Sequence, residues 1–228
     1  MEEDKKVVSI KIVKDGPYLV SGNVPLSEEI VVPKGNSYEY KEGREFPPCE
    51  VYALCRCGKS KNMPFCDGSH VKADFDGTET ASRENYENRA EFCKGADLDL
   101  LDDHRCSLAR FCHQEDGKVW DLLQYSDRGK YKQQAIQGAS KCPAGRLTAI
   151  KKNGNRIEPV YEPSIVLLQD QEKNVSAGIF VRGGIPIEAA DGYKYEVQNR
   201  VVLCRCGESK NKPFCDGRHI PVKFKDDI

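Results

Sequence analysis

The chain has 228 residues, 39% hydrophobic and 31% charged, with 35 Lys and Arg against 36 Asp and Glu for a formal net charge of −1. That length can bury two modest cores, and the balanced charge leaves no basic footprint for nucleic acid or an anionic membrane surface. Its 11 cysteines, with no secretory signal in view, fit thiolate ligation in a reducing compartment better than disulfides, so a cytoplasmic location is expected.

In chain order, the start MEEDKKVVSIKIV carries no apolar signal region, and no apolar run reaches the length that spans a bilayer. GPYLVSGNVPL and SYEYKE follow, short β-rich segments bounded by Gly and Pro. Cys49, in the Pro-rich insert EFPPCEVY, is expected to be a non-ligand thiol. CRCGKSKNMPFCDGSH then sets out Cys55, Cys57, Cys66 and His70 as C-x-C-x8-C-x3-H.

Residues 72–160 read differently. They hold Cys106, Cys112 and the pair Cys142-Pro143, with Tyr131, Ala135, Ile136 and Ala139 spaced as a helix leading into the last cysteine. His113 reads as a surface residue and Trp120 as packing for this region. Asn153-Gly154, inside LTAIKKNGNRIEP, predicts a hairpin turn.

The opening pattern then returns. SAGIFVRGGIPI and GYKYEV repeat the order of the first unit, so that Leu19, Val20, Gly22 and Pro25 correspond to Phe180, Val181, Gly183 and Pro186, and Tyr38 and Tyr40 to Tyr193 and Tyr195. Gly183-Gly184 lies in no nucleotide-binding pattern. CRCGESKNKPFCDGRH closes the repeat with Cys204, Cys206, Cys215 and His219 at the first motif's spacing. Three thiolates and an imidazole twice over make this a metal-carrying chain. Tetrahedral zinc takes such donors too, but its structural sites usually space their thiols as C-x2-4-C. In a C-x-C pair on an extended segment the two sulfurs should stand well apart, a flat approach suited to capping one iron of a cluster. Mixed Cys and His ligation of a two-iron cluster has a precedent in Rieske centres.

Both motifs resemble the CDGSH iron-sulfur domain family, the mitoNEET-like proteins, whose signature is C-x-C-x2-S-x3-P-x-C-D-G-S-H. The first copy matches throughout, with Ser60, Pro64, Asp67, Gly68 and Ser69; the second matches at Ser209, Pro213, Asp216 and Gly217 but has Arg218 in place of Ser. The resemblance implies a [2Fe-2S] cluster at each site, one iron on Cys55 and Cys57 and the other on Cys66 and His70, and likewise Cys204 with Cys206 and Cys215 with His219. It also implies that two β-rich units share a β cap. The fold expected is therefore α+β: an intramolecular pseudo-dimer of units 1–71 and 161–228, with an inserted domain at 72–160; two independent units are the alternative.

Cys106, Cys112 and Cys142-Pro143 resemble divergent single-cluster ferredoxins, with Ala109 where bacterial ferredoxins have a middle cysteine. A [3Fe-4S] or [4Fe-4S] cluster is then implied, Cys93 or His104 being candidates for a fourth ligand; three buried structural thiols are the other reading. Around the first motifs, Asp67 and Asp216 read as helix N-caps, Ser60 and Ser209 as hydroxyl donors toward sulfur, and Pro64 and Pro213 as backbone restraints. Only a neutral imidazole coordinates, so cluster loss is expected to accelerate below about pH 6. Each motif window nets plus two, three basic residues less one acidic in the first and four less two in the second, which predicts similar potentials at both sites.

No nucleophile with a base, no paired carboxylates and no substrate loop stand out, so the expected role is non-catalytic: one-electron transfer, cluster transfer to an apo acceptor protein, or both. A metal-stabilised interaction module and an electron-donor subunit of a larger oxidoreductase are the alternatives. Expected partners are a redox protein or an apo acceptor, with no nucleic acid and no membrane, the chain itself being a monomer with internal pseudo-twofold symmetry.

Overall fold

The structure is a computed structural model that describes residues 8–226. It is strand-rich with few helices, the longest being Gly129–Ser140. Three of its four sheets carry it, the fourth being the two-stranded His113–Gln114 and Gly117–Lys118. The first orders strands Ile187–Glu188, Ser9–Ile12, Tyr18–Ser21 and Val51–Leu54; the second orders Arg200–Leu203, Val175–Arg182, Ser164–Asp170, Leu26–Lys34 and Ser37–Glu45.

Each of these sheets takes a strand from the other half of the chain. Ser9–Ile12 pairs in parallel with Ile187–Glu188, Ile10 facing Ile187, and Ser164–Asp170 pairs in parallel with Leu26–Lys34, Ile165 facing Leu26. This exchange is incompatible with two independent units. Alternation along the strands of the second sheet gives it two apolar faces. Ile165, Leu167, Ile179, Val181 and Leu203 pack with Ile10, Val20 and Leu54 of the first sheet, whereas Val166, Leu168, Phe180 and Val202 pack with Ala144 and the flank of Cys142. Covering both faces accounts for the nearly unbroken burial of Val175–Arg182.

The third sheet belongs to the inserted segment, in the order Arg156–Ile157, Leu147–Lys151, Leu98–Asp102 and Glu91–Cys93. Val119–Leu123 and Gly129–Ser140 lie on it, burying Leu122, Leu123, Ala135 and Ala139 against Leu98, Leu100 and Leu147, with Trp120 and Ile136 at the edge. The helix spaced by Tyr131, Ala135 and Ala139 and the hairpin at Asn153-Gly154 both form, the latter joining Ala149 to Ile157. Arg200 of the second unit fastens the insert. Its guanidinium donates to the carbonyls of Ala139, Ser140 and Cys142 at 2.7 to 2.9 Å, satisfying acceptors that a helix C-terminus leaves open, and it pairs with Glu158 at 2.5 Å. Among the described residues no helix is long and apolar enough to cross a membrane.

Candidate metal centres

Both cysteine-histidine motifs fold as a strand end followed by a loop that closes on itself. Cys55 N–H donates to Pro64 O at 2.8 Å and Cys66 N–H to Ala53 O at 2.9 Å; Cys204 and Cys215 repeat this on Pro213 O and Val202 O, both at 2.8 Å. Gly58 and Gly207, with φ of +71° and +83°, turn each chain away after C-x-C. There the loops meet: Cys57 and Cys206 form an antiparallel bridge, and a Cβ on Gly58 or Gly207 would stand 2.5 or 2.6 Å from the carbonyl oxygen of Cys206 or Cys57. Only glycine lets the two loops approach so closely.

The donors at each motif come as two pairs. Cys55 and Cys57 Sγ are 3.7 Å apart, as are Cys204 and Cys206; Cys66 Sγ lies 3.4 Å from His70 Nδ1, and Cys215 Sγ 3.4 Å from His219 Nδ1. Two ligands on one tetrahedral metal, at bond lengths of about 2.3 Å to sulfur and 2.0 Å to nitrogen, stand about 3.8 Å (S, S) or 3.5 Å (S, N) apart. Each pair therefore has the bite of one metal ion. Among the described residues no group of three or more His, Cys, Asp or Glu closes around a single ion. The C-x-C sulfurs do not stand well apart as an extended segment would place them, because the turn at the following glycine folds the second cysteine back toward the first.

Both loops favour thiolate at the first cysteine. The Cys57 thiol, with the backbone N–H groups of Ser60 and Gly58, draws Cys55 down to about 6 against the opposing effect of burial, while Cys57 is held up. Cys206, Ser209 and Gly207 bring Cys204 to about 7 in the same way. It is thus a backbone amide, not the serine hydroxyl, that faces sulfur. Ser60 and Ser209 Oγ instead donate to Phe65 O and Phe214 O at 2.6 and 2.7 Å and accept from Asn62 and Asn211 N–H, both at 3.0 Å. The aspartates are corrected as well. The short helix Ser69–Lys72 is capped by Gly68, and Asp67 accepts from the N–H groups of Lys61 and Ser69 at 2.8 and 2.9 Å, ties that keep its carboxyl far below the usual carboxylate range. Asp216 binds Lys210 and Arg218 N–H likewise, at 2.9 and 3.2 Å.

Sequence reasoning passed over the arginine inside each C-x-C. Arg56 is buried, its guanidinium donating to the carbonyls of Gly16, Gly77 and Val13 at 2.8 to 3.2 Å. Arg205 is buried too, donating to Ala177 O and Leu168 O at 2.7 and 3.0 Å, but it also pairs with the buried carboxylate of Asp226. The signal was present as CRCG in both copies; the Asp226 partner, 21 residues downstream, was outside the window whose charges were counted.

The three insert thiols lie within electrostatic reach of one another. Burial, then the charges of Cys142 and Cys106, push Cys112 up to about 11; Cys142 is raised by burial and Cys106, with Arg200 opposing. Left-handed residues at His104, Leu108 and Arg110 kink the loop around Cys106, and Leu108 N–H donates to Cys106 Sγ at 3.4 Å. Of the candidate fourth ligands, His104 is otherwise engaged. Cys93 is raised by burial beside Glu91 and Asp102, and the His104 ring meets Glu91 Oε2 at 3.2 Å. His113 is half-buried in a two-residue strand and Cys49 is exposed, its Sγ 3.0 Å from Val51 O. Two of these thiols approach the second motif: Cys106 is among the charges that raise the buried Cys215, and Cys142 borders the apolar cluster containing Cys215.

The family described as "Iron-binding zinc finger CDGSH type" matches residues 15–71 and 177–220, and that described as "Divergent 4Fe-4S mono-cluster" matches residues 93–152. No curated protein and no solved structure matches the chain.

Proposed function

We propose, from the premise of an iron-sulfur protein in which two CDGSH-type segments flank a divergent 4Fe-4S mono-cluster segment, that the chain is a non-catalytic carrier with a [2Fe-2S] cluster at each CDGSH motif and a third cluster on Cys106, Cys112 and Cys142. When bound, such clusters supply reversible one-electron uptake and, where they are labile, a transferable two-iron unit. The observation that carries the reading is the donor pairing: at each motif one Cys-Cys pair and one Cys-His pair, each with the bite of one metal. Three thiols with Ala109 at the remaining ferredoxin position suit a three-iron cluster; a four-iron cluster needs one more donor.

The halves form an intramolecular pseudo-dimer, a reading supported by the exchanged strands and by the bridge between Cys57 and Cys206. Backbone amides at Gly58, Ser60, Gly207 and Ser209 orient and stabilise the thiolates, while Asp67 and Asp216 hold the loops in the ligating shape. The insert's thiols stand beside the second motif and the second motif beside the first, so one electron has a continuous internal route along three sites. Its partners are a redox protein or an apo acceptor.

The test is anaerobic purification followed by iron, sulfide and zinc analysis with visible spectra before and after dithionite. About seven irons per chain and a reducible chromophore are expected; about four would remove the third cluster. A colourless chain with two zincs that resists iron reconstitution would replace the carrier by a metal-stapled interaction module.

A further inference from the structure

We infer that residues 105–110 of the insert form a lid over the second CDGSH site, so that the first site is the exchangeable one, yielding its two-iron unit to an apo acceptor, while the second retains its own. This rests on the reading that both motifs hold [2Fe-2S] clusters. The motifs are near-identical in sequence, and only their surroundings separate them. His219 is 2% exposed and Cys215 4%, whereas Cys66 and His70 are only half-buried. The glycine before the histidine makes the contrast sharper: Gly68 has nothing within 4 Å of where a Cβ would be, whereas at Gly217 that position is 2.5 Å from Leu108 Cγ and Cδ1.

The lid is fastened at both ends. The Arg105 guanidinium lies 4.0 Å from the centroid of Phe214, the residue before Cys215, and Arg110 clasps both carboxylate oxygens of Asp170 at 2.7 and 2.9 Å while donating to Leu108 O at 2.9 Å. The corresponding Phe65 packs edge-to-face with Phe46 and Tyr52. Under the lid, the buried Ser107 hydroxyl, with no hydrogen-bond partner among the described residues, and His219 line a cavity of about 10 Å³, room for one water and not for an incoming thiolate.

The neutral imidazole is the one ligand without charge attraction to iron, so replacement begins on the histidine side, and an acceptor must reach that side. In the exchange three Fe–S bonds and one Fe–N bond to this chain break and four Fe–S bonds to acceptor cysteines form. Four acceptor thiols lose protons; three protons return to Cys55, Cys57 and Cys66, one goes to solvent, and iron keeps its oxidation state.

The test mixes the reconstituted, ¹⁵N-labelled full chain anaerobically with excess apo [2Fe-2S] ferredoxin and follows its amide spectrum, because paramagnetic clusters hide nearby amides and their loss restores them. Of the amides that reappear once both CDGSH clusters are stripped, a set that leaves out any hidden by the third cluster beside Cys215, those of residues 55–70 should return at least roughly tenfold faster than those of 204–219, a difference of about 1.4 kcal/mol in barrier. Equal rates, or earlier return of 204–219, overturn the inference while leaving the clusters in place; a chain that takes up no iron removes the cluster reading itself. Leu108→Gly, tolerated because Leu108 already sits at a φ of 60°, should bring the second site's release toward the first's, and an unchanged ratio of rates overturns the role of the lid. Arg110→Ala provides the independent variant, with the same expectation.

Discussion

The two CDGSH motifs share a ligand pattern and the bonds that close the loop, yet one stands half in solvent and the other lies under the insert. The lesson is that the sixteen-residue motif builds its own ligating shape, through its closing backbone bonds and aspartate ties, and takes its physical properties from whatever packs on it. Arg56 and Arg205 make the point within the motif. Both donate to backbone carbonyls, but among the described residues only Arg205 forms an ion pair, with Asp226.

The largest effect should come from removing these arginines. Arg205→Ala leaves Asp226 buried at 3% exposure with an unpaired charge and should cost about 3–5 kcal/mol. Arg56→Ala strands three carbonyls but no charge and should cost about 2 kcal/mol. Urea unfolding of the metal-loaded protein compares them; equal losses would mean that the Asp226 pair contributes nothing to the difference between the sites.

A second experiment sharpens the same contrast electrostatically. Adding an electron is easier beside an uncompensated positive charge and harder in a buried site. The first site, where Arg56 forms no ion pair among the described residues and the ligands have partial access to water, should therefore reduce at the higher potential. Asp226→Asn removes the compensating charge at the second site and should raise its potential, narrowing the gap by on the order of 50 mV, the equivalent of roughly 1 kcal/mol. A redox titration followed by electron paramagnetic resonance reads both steps; coincident potentials in the unaltered chain would support instead the simple count of charges in each motif.

Much of the molecule was legible in the sequence because its information is local. The motif spacing, the helix ending before Cys142 and the Asn153-Gly154 hairpin depend on neighbours along the chain, and all stand where the pattern puts them. What was not legible depends on contacts over long sequence separations. The family resemblance implied that the halves share a cap but not the register that sets Ile10 against Ile187; the clasp of Arg200 on the insert spans some sixty residues, and Leu108 reaches Gly217 past the strands Ser164–Asp170, Val175–Arg182 and Arg200–Leu203. The local misreadings had a different source. Ser60 was assigned to sulfur, whereas the closed loop offers the Phe65 carbonyl; Asp67 does accept from the first N–H of the short helix, at Ser69, but the cap position is Gly68 and the carboxylate also ties back to the Lys61 amide.

The smallest predicted effect tests how far the asymmetry enters the shared cap. Tyr18, on a strand of the first unit, donates its hydroxyl to Cys204 O and Pro213 O at 2.8 and 3.1 Å, so the first unit braces the second site. By the alignment of the repeats the counterpart of Tyr18 is Ile179, which has no hydroxyl to return the brace. Tyr18→Phe keeps the ring in the core and removes only this donor. Pro213 O retains the Cys204 N–H, so the cost should be about 1 kcal/mol. Amide hydrogen exchange locates it: faster exchange at 204–215 with 55–66 unchanged is the expected pattern. Uniform acceleration at both loops would mean that the cap transmits strain between the sites, and that their separate behaviour comes from the insert alone.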